Sequence, residues 1–282
     1  MRNALTVDLE DYYHVSAFRN QIQASQWTDQ LSRVEHNTNR LLDWFDEAGF
    51  KATFFTLGWL AERHAHVVRR VAERGHEMAC HSMRHRLVYE MTPQEFREDT
   101  RQAKDKLEQV SGCLVRGYRA PSFSITQQSL WALEILAELG FSYDSSIFPV
   151  KHPNYGMIEA SRFPFRIPTP AGTIVEFPLP TLELGGRRAP LAGGAYLRIL
   201  PYAYTRWGIS HINNREARSV CVYMHPWEID PEQPRMQGSW ASRLRHYLGL
   251  YGAASKLRKL LRDFEFCPLH SLVEEWCSGQ DS

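Results

Sequence analysis

Gly75-His76-Glu77-Met78-Ala79-Cys80-His81-Ser82-Met83-Arg84-His85 carries the reading of the fold. A glycine suited to ending a helix is followed by a short apolar strand, and polar residues stand where that strand stops. The same punctuation recurs along residues 1–150. Ala4 to Leu9 is a strand ending in Asp8-Leu9-Glu10-Asp11. Leu31, Val34, Leu41, Leu42 and Phe45 fall at helical spacing before Gly49. Lys51 to Leu57 is a second strand, and Leu60, Val67, Val68 and Val71 form a helix closed by Gly75. Thr92-Pro93-Gln94-Glu95 is a capping box with proline at the first helical position, opening a helix to Gly112. Leu114 to Tyr118 leads to Arg119, Thr126 starts a helix to Gly140, and Phe141 to Tyr143 leads to Asp144. Strands alternating with helices predict an α/β fold, and a barrel would gather the strand ends into one mouth.

The 282 residues fit one decorated domain, with 43% hydrophobic and 23% charged residues enough for a sizeable soluble core. With 33 basic against 32 acidic residues, composition makes no general electrostatic case for nucleic acid or an anionic membrane. No apolar stretch reaches the length of a membrane span, and the start lacks the basic and apolar regions of a signal peptide. Five scattered cysteines without a C-x-x-C suit a reducing compartment, so the expected location is cytoplasmic. A homo-oligomer stays open. Nine of the fifteen prolines lie between Pro149 and Pro201, where long helices cannot run uninterrupted. Residues 151–218 are therefore read as a Pro-rich insertion containing a hairpin, Phe163 to Ile167 with Thr173 to Phe177. Regular structure is expected to resume at Ser219 to Met224, so 1–150 and 219–230 form the barrel core and 231–282 a helical C-terminal extension packing on it. Within that extension, Ser255 to Arg262 reads as an amphipathic helix with a solvated basic face.

The polar residues at strand ends are Asp8 and Glu10, His81 with His85, Arg119, Asp144 and His225. Two imidazoles and one carboxylate can hold a divalent ion while leaving positions open for water and substrate. A histidine pair at this spacing is close to chance in a chain with twelve histidines, so its place at a strand end is what lends it weight. Tyr13 and His14 read as surface loop, and Cys80, on the opposite strand face from His81, as a packing residue.

Five ordered motifs resemble the polysaccharide deacetylases of the NodB-homology class, carbohydrate esterase family four. They are Thr6-Val7-Asp8-Leu9-Glu10-Asp11, His81-Ser82-Met83-Arg84-His85, Arg119-Ala120-Pro121-Ser122-Phe123, Asp144-Ser145-Ser146-Ile147-Phe148-Pro149 and Met224-His225. Trp227-Glu228-Ile229-Asp230-Pro231 and the following helices further resemble the branch found with bacterial exopolysaccharide gene clusters. The resemblance implies a distorted (β/α) barrel of about seven strands. It also implies a hydrolase that removes N-acetyl groups from an amino sugar of an exopolysaccharide or its precursor. It implies Asp8 as general base, Arg119 as its partner, His225 as general acid and Asp144 as the group orienting His225. The expected ion is Zn²⁺, with Co²⁺, Ni²⁺ or Fe²⁺ as substitutes, and the oxyanion would be shared with a backbone N–H near Phe123. The usual first motif has two adjacent aspartates, whereas this chain has an extra residue, leaving Glu10 or Asp11 as the metal carboxylate. Strand alternation puts Asp8 and Glu10 on one face and favours Glu10. Phe123 and Trp227 are expected to touch the sugar. The competing readings are an allantoinase-like amidohydrolase on a small amide or ureide, and a non-catalytic carbohydrate-binding relative.

Overall fold

The computed structural model describes residues 1–152 and 155–280. Its strands are β1 (Arg2–Leu9), β2 (Thr53–Thr56), β3 (Glu77–Cys80), β4 (Gly117–Tyr118), β5 (Tyr143–Asp144), β6 (Phe165–Thr169), β7 (Gly172–Glu176), β8 (Thr181–Leu184), β9 (Arg187–Pro190), β10 (Cys221–Met224) and β11 (Glu265–Cys267). Seven run parallel in the order β10-β1-β2-β3-β4-β5-β7, with β6 antiparallel at the outer edge of β7 and β11 parallel to the start of β1. This is the expected distorted (β/α) barrel, and β7 and β10 are not hydrogen-bonded to each other, so the ring of strands stays open there.

Alternation along β1 sorts its side chains. Leu5, Val7 and Leu9 pack with Leu41, Leu42 and Phe45 of the helix Val34–Ala48. Ala4 faces inward and meets Phe55, Ala79, Tyr143, Val175 and Cys221 from the neighbouring strands. Leu269, Leu272 and Val273 of the helix Leu269–Gln280 join this inner cluster. That helix closes the N-terminal end of the barrel, its first amide donating to Thr53 Oγ1 (2.7 Å) and Tyr143 donating to Glu77 Oε1 (2.6 Å) beside it. The chemistry is thereby confined to the other end.

The helix Pro93–Ser111 opens on the Thr92/Glu95 capping box and stops at Gly112, as its sequence predicts. The segment read as one helix to Gly75 is two, Gly58–Arg63 and Ala65–Glu73, because His64 adopts φ −128°, ψ 43°. The largest difference lies in the Pro-rich segment. The hairpin is present as β6 and β7, but β7 pairs in parallel with β5 and is a barrel strand. Structure also returns before Ser219, as the helix Tyr202–Arg215 beginning directly after Pro201. Proline cannot donate to a helix, but its fixed φ suits the position that opens one. No helix among the described residues is long and apolar enough to cross a membrane.

Candidate active site

Strand register brings the polar strand ends together. β1 delivers Asp8 and, one residue past its end, Glu10; β3 delivers His81, β4 Arg119 and β10 His225. His81 and His85 both aim Nε2 at Glu10 Oε1, at 3.1 and 3.2 Å. One ligand atom from each of these three residues lies within 4.8 Å of the other two. The Nδ1–H of His81 donates to the Arg119 carbonyl at 2.7 Å, which fixes the tautomer and leaves the Nε2 lone pair on the Glu10 side. Burial pushes the Glu10 carboxyl up, but His85, His81 and His225 outweigh it and hold it well below the usual range.

The second histidine arrives by a strained loop. Ser82 and His85 sit at φ 66° and 54°, and Ser82 Oγ accepts the His85 N–H at 2.9 Å. Gly58 and Trp59 donate to the Ser82 and Met83 carbonyls from the start of the facing helix. A Cβ on Gly58 would stand 2.4 Å from Met83 Sδ and 2.9 Å from Ala103 Cα, so only glycine allows this approach.

Asp8 is buried on the same face. Its Oδ1 accepts from Arg119 Nη1 at 2.7 Å, and its Oδ2 lies 3.8 Å from His225 Nε2. The Arg119 guanidinium is fully buried, also donates to Thr6 Oγ1 and to the Ser145 carbonyl and hydroxyl, and stacks 4.1 Å from the Phe55 ring centroid. Every donor of that fork is directed, which aims the carboxylate of Asp8 toward the cavity.

Asp11 corrects one expectation. Its carboxylate turns away from the histidines and accepts from Tyr12 N, Ser32 Oγ, Arg33 N and Val34 N at 2.7–3.0 Å, tying down the start of the helix Val34–Ala48. Burial raises it to about 6 despite those donors. Tyr13 and His14 are likewise not surface loop. His14 is packed against Tyr13, Trp27 and Trp59, and its Nδ1 accepts the Asp11 N–H. Cys80 is buried in the apolar layer, as alternation predicts.

Asp144 is the second correction. Both its oxygens accept from Ser146, at 2.6 and 3.1 Å, and it is hydrogen-bonded to Glu176 of β7. The group on His225 is instead Glu228. Its Oε2 lies 3.3 Å from His225 Nδ1 and accepts the His225 N–H at 3.0 Å, while Arg198 donates to its Oε1 at 2.6 Å. Burial would raise the Glu228 carboxyl, but Arg198 and His225 hold it down at about 2. In turn burial works against the His225 imidazolium, and Glu228, Glu10 and Asp8 raise it to about 9. The signal for Glu228 was present in His225-Pro226-Trp227-Glu228, a carboxylate three residues after a strand-end histidine and across a tight turn. Arg198, from the helix Gly194–Ile199, had no local signal.

Asp8, Glu10, His85, Phe123, His225 and Trp227 line a cavity of about 170 Å³. Phe123 contributes its ring there, but its amide donates to the Ala120 carbonyl at 3.0 Å and is not aimed at an oxyanion. Trp227 stacks on both His225 and His246 and is 4% exposed, so it presents an edge to the cavity rather than a face for a pyranose. Gly193, at φ 118°, lies where a Cβ would stand 2.1 Å from the Tyr223 ring, so glycine lets the cavity roof close down on that ring.

The fold and site together define a (β/α) barrel with a two-histidine, one-carboxylate cluster, of a kind able to hold a metal ion, at its C-terminal mouth. Residues 24–143, less than half of the chain, match the polysaccharide deacetylase family. Residues 145–274 match a domain of unknown function, DUF3473. The boundary between the two matches falls inside β5, and the second supplies β7, β10, Arg198, His225 and Glu228, so both build one site. A peptidoglycan-N-acetylglucosamine deacetylase of Bacillus cereus is 31% identical over 98 residues, covering 34% of this chain and 36% of that protein. The chain thus spans little more than a third of the length of the curated relatives it matches. A Mycobacterium smegmatis protein described as a putative polysaccharide deacetylase superposes with TM-score 0.68 at 20% identity, over 99% of this chain and 91% of that one. An allantoinase superposes with TM-score 0.63 at 14% identity, over 98% and 90%. Both share the fold.

Proposed function

We infer that the protein is a metal-dependent N-deacetylase acting on an amino-sugar residue of a bacterial exopolysaccharide or its precursor. The observation that carries this reading is the convergence of Glu10, His81 and His85 between Asp8 and His225 at one cavity. The donor set, two imidazole nitrogens and a carboxylate oxygen, fits Zn²⁺, with Co²⁺, Ni²⁺ and Fe²⁺ as substitutes. A divalent ion there supplies Lewis acidity, polarising an amide carbonyl and making a water acidic enough to lose its proton near neutral pH.

The remaining steps belong to the chain. Asp8, aimed by Arg119, takes the proton of the attacking water through its free Oδ2 edge. His225, with Nδ1 fixed by Glu228, keeps Nε2 toward the cavity and gives its proton to the departing amine. The Phe123 ring forms one wall against the acetylated sugar. Five free cysteines, with no disulfide among the described residues, support a cytoplasmic setting and a precursor substrate.

The test is acetate release from N-acetylated chito-oligosaccharides by protein stripped with chelator and reloaded with each metal. Release should return with Zn²⁺ and be lost in His81→Ala. Sugar binding without acetate release under any metal would assign the chain to non-catalytic binding, and ureide turnover that survives chelation would assign it to the allantoinase-like reaction.

A further inference from the structure

Between Glu232 and Asp263 the chain carries seven basic residues and no acidic one. The fold divides these cations into two groups. Lys256 donates to the carbonyls of Leu197, Arg198 and Leu200; Arg258 and Arg262 face Glu47 and Asp263; Lys259 lies over the Tyr202 ring. Arg235 lies over the Tyr247 ring at 4.3 Å, and Arg243 and Arg245 have no carboxylate within ion-pair distance among the described residues.

Arg243 and Arg245 lie on the helix Trp240–Tyr247, which Arg235 precedes, and its two faces differ. Ser242, Arg245 and His246 turn toward the catalytic cavity. The opposite face carries Trp240, 77% exposed, and Leu244, 44% exposed, and the i, i+4 stripe continues to Leu248. Tyr251, 82% exposed, stands beyond it at the start of the helix Leu250–Asp263. An exposed tryptophan, tyrosine and two leucines within twelve residues of chain concentrate apolar surface that a protein wholly surrounded by water has little reason to keep.

We propose that this face docks on an anionic lipid bilayer, setting the cavity mouth beside the membrane surface. The composition is that of an interfacial anchor: aromatic rings suited to the headgroup level, leucines to enter below it, and Arg243, without a carboxylate partner, to meet lipid phosphates. Charge decides against a second copy of the chain as the occupant. A two-fold contact through this face would bring Arg243 toward its own copy with no acidic residue between Glu232 and Asp263 to neutralise it.

The experiment is co-sedimentation of the full chain with phosphatidylcholine vesicles and with vesicles that also contain phosphatidylglycerol. It needs no substrate, so its outcome is independent of the deacetylase reading. The protein should sediment with the anionic vesicles, and less so as salt rises. Arg243→Ala should weaken partition about fivefold, and the Trp240→Ser/Leu244→Ser double variant about tenfold or more. Acetate release from a soluble oligosaccharide should be unchanged in these variants, which touch no cavity residue. Absence of sedimentation, or equal sedimentation of wild type and variants, overturns the proposal. A concentration-dependent dimer abolished by Trp240→Ser would instead assign the face to self-association and also overturn it.

Discussion

Two pairs of carboxylic acids sit at the C-terminal end of the barrel, Asp8 with Glu10 and Asp144 with Glu176, all no more than 2% exposed. Burial is therefore the same for both, and the difference lies in partners and outlet. The first pair meets Arg119, His81, His85 and His225 and lines the cavity. The second meets Ser146, the Ile147 N–H and itself. Burial and the neighbouring Asp144 push Glu176 well above the ordinary carboxyl range, so it holds a proton that bonds the two acids together. One pair meets cations and faces the cavity, and the other is closed off on itself and ties β5 to β7.

The sharpest way to break this comparison is Asp8→Asn, which keeps the shape and removes the base. Acetate release should fall about 10²- to 10⁴-fold with unchanged circular dichroism. A loss of only a few fold would reduce Asp8 to a structural acid like Asp144. Glu228→Gln should have an intermediate effect, lowering kcat about 10- to 100-fold with little change in KM, because His225 loses its orienting charge. Partial rescue by Glu228→Asp would separate positioning from simple packing. Glu176→Gln should have the smallest effect, leaving acetate release within a few fold while changing the pH dependence of stability.

The sign of that last effect follows from Glu176 holding its proton more tightly folded than unfolded. Its contribution is fully present below the unfolded pKa, near 4.5, and is lost as pH rises toward the raised folded value. The slope is at most about 1.4 kcal/mol per pH unit for one group. Glutamine keeps a donor and cannot titrate, so thermal melts of the variant should lose this part of the decline. Parallel curves for wild type and variant would mean that the Asp144–Glu176 pair holds no proton.

Much of the first pair's surroundings was legible, and the reason is local. Alternation along β1 puts Asp8 and Glu10 on one face and turns Asp11 elsewhere, and short apolar strands deliver His81, Arg119 and His225 to the same end. Asp144 was misassigned because resemblance carried its role from other chains. Here a tight turn places Glu228 on His225 first. The strand of β7 was read as half of a hairpin, but its place in the barrel was hidden because prolines on either side made its surroundings read as an insertion.

The sequence by itself determined the alternating α/β layout of residues 1–150, the facing of Asp8 and Glu10, and the strand-end histidines, since periodicity and helix signals act within a few residues. Only the tertiary structure decided that Arg198, thirty residues before Glu228, completes the His225 support, that Asp11 ties down a helix start, and that a C-terminal helix closes the barrel. Those contacts join segments that share no local pattern, and they exist only because packing the apolar faces brings them within hydrogen-bond range.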